Sequence, residues 1–356
     1  MPTLDRRGFL RLTGVAAGAA VLTACGPNKA GSPGSSSGGD LKINSFGGTF
    51  QSAVQSTVAD AYTAKTGVGV DLITAISSDA LTKMKAANNA FDLAYLDLAP
   101  LYQAKAAGLL QKLDRGKLPS LPELYPLAVD KDGYWVAELA SMTGIVYNTE
   151  KVTTPPTSWK DLWDPKYRGK VAISNVSGTA GYHFLAMAAR LNGGSEKAID
   201  PGFAAVSALK PSLSAIYSTP DEMSKLLTSG EADLGVWYAD RTSALKSSGA
   251  PVAFVRPAEG ATAILSAMCL PKASAHAENA HAYLDFQISS AVNGKFVQAI
   301  AEGPTNSKVT LPQSFLSTNY VPYGQQEISS LVQLDSEAIS RNLASWITRW
   351  QQEIQN

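Results

Sequence analysis

Histidine and cysteine are scarce in this 356-residue chain, and the scarcity excludes much chemistry. His183, His276 and His281 are its three histidines, Cys25 and Cys269 its two cysteines. His276 and His281 stand five apart in an alanine-rich stretch, a spacing that does not share one helix face. No Cys/His grouping has the spacing of a zinc site, so neither a metal nor a cofactor is expected. The chain also lacks a GxxxxGK[ST] phosphate loop, an HExxH pair and a GxSxG elbow, and no catalytic residue presents itself. An excess of either charge is missing too: 30 Lys and Arg balance 30 Asp and Glu. Without clustered basic residues a nucleic-acid surface is not expected.

What is present begins at the N-terminus. Arg6-Arg7-Gly8-Phe9-Leu10 precedes an Ala- and Gly-rich apolar run from Val15 to Ala24. A twin arginine before such a run is an export signal of the Tat type, and the run is too short for a permanent membrane span. Leu22-Thr23-Ala24-Cys25 resembles the bacterial lipobox. That resemblance implies removal of residues 1–24, lipid on Cys25, and tethering to a membrane in the periplasm or at the cell surface. Removal takes away three arginines and one aspartate, leaving a mature chain two charges negative. With Cys25 lipidated, Cys269 has no partner for an intrachain disulfide. Its apolar setting, Ala267-Met268-Cys269-Leu270-Pro271, reads as a buried structural thiol. Gly26–Gly39 is almost wholly Gly, Ser, Pro, Asn and Ala, a composition that cannot bury enough apolar surface to order itself. Extended, about 14 residues reach on the order of 45 Å.

From Leu41 onward short β-type runs alternate with helical patterns. Leu41–Asn44, Val68–Leu72 and Phe91–Leu96 read as strands, with helices over about Phe50–Thr66, Ser78–Ala87 and Leu98–Ala107. A second block repeats the alternation from Gly144, with strands at Gly169–Ile173 and Leu234–Trp237. The β-loop-α order predicts an α/β fold with a mostly parallel sheet, and the length after the tether predicts two domains. Ligands of such sheets bind on loops at the carboxyl ends of strands. Gly47-Gly48-Thr49 follows the first strand, and Asp97 follows the third. Ser177-Gly178-Thr179 stands where a strand gives way to a helix, where free amides and hydroxyls hold an acidic group; as a bare helix cap, Ser177 would need no ligand. Tyr238, Asp240 and Arg241 close a later strand, offering an aromatic face to an ammonium and a guanidinium fork to a carboxylate. Ser141 and Thr143, on the run entering the second block, complete the candidate set.

Three stretches carry a family resemblance: Asp92-Leu93 through Gly108-Leu109-Leu110-Gln111-Lys112-Leu113-Asp114, Ser158-Trp159-Lys160-Asp161-Leu162-Trp163-Asp164-Pro165-Lys166-Tyr167-Arg168-Gly169-Lys170-Val171, and Ser229-Gly230-Glu231-Ala232-Asp233-Leu234-Gly235. With them, residues 41–356 resemble bacterial extracellular solute-binding proteins of the spermidine/putrescine-binding and ferric-ion-binding branch. The resemblance implies the two-lobe, type II periplasmic-binding-protein fold, a hinge, an interlobe cleft for a small molecule, and delivery to the permease of an ABC importer. It places lobe 1 at 41–143 and 267–304 and lobe 2 at 144–266 and 305–356, after the signal (1–24) and the tether (25–40). A monomer is expected. The ligand departs from the relatives. Ile264-Leu265-Ser266 stands where polyamine binders carry Trp-x-Asp, and Asp240-Arg241 where ferric binders carry adjacent tyrosines. Arginine repels a ferric ion. A small amine-bearing or zwitterionic solute is therefore the expected ligand, with a polyamine as the alternative. An exported enzyme and a ligand-sensing lipoprotein are the competing classes.

Overall fold

The computed structural model describes residues 39–86 and 90–356. Arg6, Arg7, Cys25 and nearly all of the Gly26–Gly39 tether lie outside them. Strand β1 (Leu41–Ser45) leads into α1 (Gly48–Val54), a π-helical turn at Gln55–Ala59, and α2 (Asp60–Thr66). Val54, Val58 and Tyr62 bury one face of this continuous helix. Gly67 ends it at φ 76°, a left-handed conformation open to glycine without a Cβ clash. Next come β2 (Val70–Thr74), α3 (Ser77–Ala86), β3 (Ala94–Asp97), α4 (Leu98–Ala106), β4 (Leu110–Gln111) and the long β5 (Trp135–Asn148). β2 and β3 each lie a few residues later than their apolar runs suggest, because pairing, not hydrophobicity, sets strand ends.

The second block starts with a 3₁₀ turn, Trp159–Trp163, held by reciprocal Ser158 and Asp161 capping bonds. Then follow β6 (Val171–Ser174), α5 (Thr179–Leu191), α6 (Asp200–Leu209), β7 (Leu213–Tyr217), α7 (Pro220–Ser229), β8 (Leu234–Tyr238), α8 (Ala239–Ser247) and β9 (Val252–Val255). The chain continues through β10 (Thr262–Pro271), α9 (Ala277–Ile288), α10 (Ser290–Ile300), β11 (Gly303–Pro304), α11 (Gln313–Thr318), α12 (Gly324–Ser330) and α13 (Ser336–Glu353).

The sheet is mixed rather than mostly parallel. β1 and β2 pair in parallel, as do β6 with β7 and with β8, but β10 runs antiparallel to both β3 and β5, and β5 antiparallel to β8. The two long strands β5 and β10 thus join two α/β blocks, each with its own core. Ile43, Tyr95, Leu96, Met268, Tyr283 and Phe296 belong to one core. Trp159, Phe184, Phe203, Val236, Trp346 and Trp350 belong to the other. Along β5 the change falls between Ala140 and Ile145. At Gly144 a Cβ would lie 2.6 Å from the Val255 carbonyl and 2.5 Å from the Phe254 ring, so only glycine fits. The final return differs from the 305 expected from the sequence. Val309, Leu311, Val321 and Ile328 still pack in the first core, and the second is regained at Ile339. The physical reason is that α11 and α12 are short and cover the first block's open side before the chain crosses.

Three segments cross side by side. Thr143 of β5 is paired with Thr262 of β10, which is bridged in parallel to Val332. His183 of α5 lies across the first two, with Nδ1 3.1 Å from Thr143 Oγ1 and 2.9 Å from Thr262 Oγ1.

Candidate functional site

A cleft of about 920 Å³ opens between the two blocks, lined from both. Phe46, Gly47, Gly48, Thr49 and Phe50 contribute the β1–α1 corner, and Asp97 the end of β3. Gly47 and Gly48 have φ of 79° and 54°, so the corner requires residues free to take left-handed conformations. Thr179, Tyr238, Asp240 and Arg241 face them from the second block. Ser141 of β5 lies on the cleft floor, with Ser266 of β10 beside it.

Nine of the twelve expected binding residues therefore line one cavity: Gly47, Gly48, Thr49, Asp97, Ser141, Thr179, Tyr238, Asp240 and Arg241. Three do not. Thr143 is fully buried at the crossing with its hydroxyl on His183. It shares a strand face with Ser141, but His183 of α5 covers it where the chain changes block. Ser177 is exposed, and its hydroxyl donates to Asn175 Oδ1 at 2.9 Å, so it neither caps the helix nor reaches the cleft. Gly178 is the N-cap of α5 and has no place in the lining. The α5 amides are also partly committed, since Ala180 N–H donates to Tyr238 Oη at 3.1 Å.

Asp240 and Arg241 sit in the first turn of α8 rather than closing the strand before it. Their ion pair is loose, 3.4 Å, and the Arg241 side chain is about half exposed (53%). Burial raises the Asp240 pKa, and the neighbouring Arg241 partly offsets that. Burial likewise raises Asp97, against the Ser77 hydroxyl that donates to its Oδ2 at 3.0 Å. Tyr238 is pushed up to about 12, chiefly by burial, with Asp97 and Asp240 adding to the rise. This phenol stays neutral near two carboxyl groups.

Sequence reasoning missed Glu302, the third cleft carboxyl. Burial raises its pKa well above the usual range, and the charge of Asp240 across the cleft adds to this. Its Oε2 and the Ser141 hydroxyl both lack hydrogen-bond partners among the described residues. Glu302 follows Ala301, which holds φ 55° with no glycine to ease it. A non-glycine residue in that region stores about 1–3 kcal/mol of strain. The turn at Ala301 ends α10 and precedes Glu302, and no local pattern announces it. Glu138 was missed too. It is a single charged residue inside the uniformly buried run Trp135–Asn148, which was a visible signal. Among the described residues no group of His, Cys, Asp and Glu is placed to hold a metal, and no helix is long and apolar enough to cross a membrane.

The family of bacterial extracellular solute-binding proteins matches residues 92–329. The spermidine/putrescine-binding periplasmic protein 1 of Haemophilus influenzae is 25% identical over 308 residues, covering 83% of this chain and 85% of its own. The spermidine/putrescine-binding periplasmic protein of Escherichia coli is 25% identical over 252 residues, 67% of this chain and 71% of its own. A solved ABC-transporter structure from Clostridium perfringens superposes with a TM-score of 0.81 at 25% identity, covering 88% of this chain and 100% of the other.

Proposed function

The chain belongs to the bacterial extracellular solute-binding proteins, periplasmic partners of ABC transporters, and from that premise we propose that its cleft captures a small organic amine. Proteins of this class bind small molecules and pass them to a permease. The observation that carries the ligand reading is the charge of the lining. Three carboxyl groups, Asp97, Asp240 and Glu302, face one guanidinium, Arg241, already engaged by Asp240. An ammonium leaving water needs such groups to offset its desolvation, while Tyr238 and Phe46 give aromatic faces to its alkyl part and charge. Half-exposed Arg241 is available to an acidic group at the far end of a zwitterion. A polyamine is the second reading, favoured by Glu302, an acid that composition and motifs did not place in the cleft.

The rest of the reading follows from the N-terminus. Arg6 and Arg7 direct export, residues 1–24 are removed, and lipid on Cys25 anchors a monomeric body through the Gly26–Gly39 tether close to its permease. Lobes hinge where β5, β10 and Val332 cross, and the ligand is held between them without being chemically altered.

Calorimetry on the chain carrying Cys25→Ala tests this against putrescine, spermidine, 4-aminobutyrate, a sugar and an organic dianion. Binding of at least one amine and of neither other probe is expected. Arg241→Ala separates the two readings. It weakens binding of a zwitterion and leaves a diamine's affinity undiminished. Saturable binding of the sugar or the dianion with no response to any amine would refute the amine reading.

A further inference from the structure

A β-bulge lies behind the cleft floor. Along β5 and β10, Ser266 is opposite Leu139 and Ala267 opposite Ala137, so Glu138 is the extra residue of the longer strand. Bulges re-aim a side chain and gather next to functional sites. The carbonyl of Glu138, released from the ladder, accepts from Asn293 Nδ2 of α10 at 2.6 Å. Its side chain is completely buried, and neither carboxyl oxygen has a hydrogen-bond partner among the described residues. Ser266 of β10, paired with Asp97 of β3, lines the cleft, and its hydroxyl lies beside Glu138.

The groups around Glu138 offer it no cation. Asp97 and Tyr95 face it from β3, Ser266 and Cys269 from β10, Tyr283 and Gln287 from α9, and Asn293 from α10. A buried carboxylate with no countercharge beside it stays protonated, and the Ser266 hydroxyl only partly offsets this. Burial accordingly raises its pKa to about 8, with the charge of Asp97 adding to the rise.

We infer that Glu138 is a proton-exchanging, positioning part of the binding site: an ammonium seated at Asp97 and Ser266 draws the carboxyl proton off Glu138. The O–H bond of Glu138 breaks, its proton passes to solvent, and the ammonium supplies the positive charge that holds the new carboxylate. Capture is thus linked to release of a proton, and acidification returns the proton to Glu138 and weakens the hold on the ligand. The inference rests on the amine reading of the cleft.

Two measurements on the Cys25→Ala chain test it. Infrared difference spectra at pH 7, ligand-free chain against Glu138→Gln, are expected to show a protonated-carboxyl band lost in the variant. If that band is absent, the inference falls whatever the ligand. Calorimetry with putrescine and with 4-aminobutyrate, in phosphate and in Tris at pH 7, then counts protons. Heats that differ between the buffers by the release of up to one proton are expected, with affinity falling up to tenfold per unit of acidification. Glu138→Gln should abolish the release and Glu138→Asp should restore it, which a merely structural carboxyl would not do. Amine binding with buffer-independent heats, or release that persists in Glu138→Gln, overturns the inference and leaves the amine reading standing. Failure of both probes to bind while the band is present defeats the amine reading and the coupling built on it.

Discussion

Acid should loosen the place where the two blocks join, and His183 sets how much. The imidazole is buried and touches two threonine hydroxyls, Thr143 on one crossing strand and Thr262 on the other. Burial lowers its pKa from 6.5 to about 3. A base whose folded pKa is depressed is neutral in both states above 6.5 and costs nothing there. Below 6.5 the unfolded chain takes up a proton that the folded chain refuses. Stability then falls by about 1.4 kcal/mol per pH unit, or about 2 kcal/mol between pH 6.5 and 5, and continues to fall toward pH 3. Urea unfolding of the wild type and of His183→Gln, followed from pH 7.5 to 5, isolates this contribution, because the carboxylates titrate alike in both. The variant is expected to be less stable at pH 7.5, since glutamine cannot serve both hydroxyls in the same geometry, and the gap should narrow by about 2 kcal/mol at pH 5. A gap constant over that range would refute the argument.

Two further outcomes follow from geometry. At Gly235 in β8 an added Cβ would lie 2.1 Å from the Ala172 carbonyl of the paired β6. Gly235→Ala should therefore lower stability by about 1–3 kcal/mol or more through overpacking in a core sheet, read as a fall in the urea midpoint at unchanged slope. Asp97→Asn keeps the shape and an acceptor for Ser77 but removes one carboxyl from the lining. It should weaken amine binding by about 1–3 kcal/mol, the scale of a lost charged hydrogen bond, with little change in thermal unfolding; unchanged affinity in calorimetry would remove Asp97 from the site.

Much of the site was legible because its parts are local. A strand followed by Gly47-Gly48-Thr49, and another followed by Asp97, place those residues at carboxyl ends of strands, where the cleft indeed lies. Tyr238, Asp240 and Arg241 were found by the same rule, although the helix starting at Ala239 was not. Ser177 was misplaced because strand-to-helix junctions look alike in sequence whether the hydroxyl points to the ligand or back to Asn175. Thr143 was misplaced because strand β5 changes block midway, and there its side chain meets His183 of α5 instead of the cleft.

Composition and pattern by themselves determined the α/β alternation and placed candidate residues at the ends of strands. These rest on residue type and short-range periodicity, and both survive without knowledge of distant neighbours. Only the tertiary structure decided the sign of the cleft. Glu302 enters the cleft after a left-handed turn at Ala301, and Glu138 is turned behind the floor by a one-residue bulge against β10. Both depend on pairing across more than a hundred residues of chain. Burial, which raises the pKa of each of these carboxyls, exists only once distant segments have packed around them.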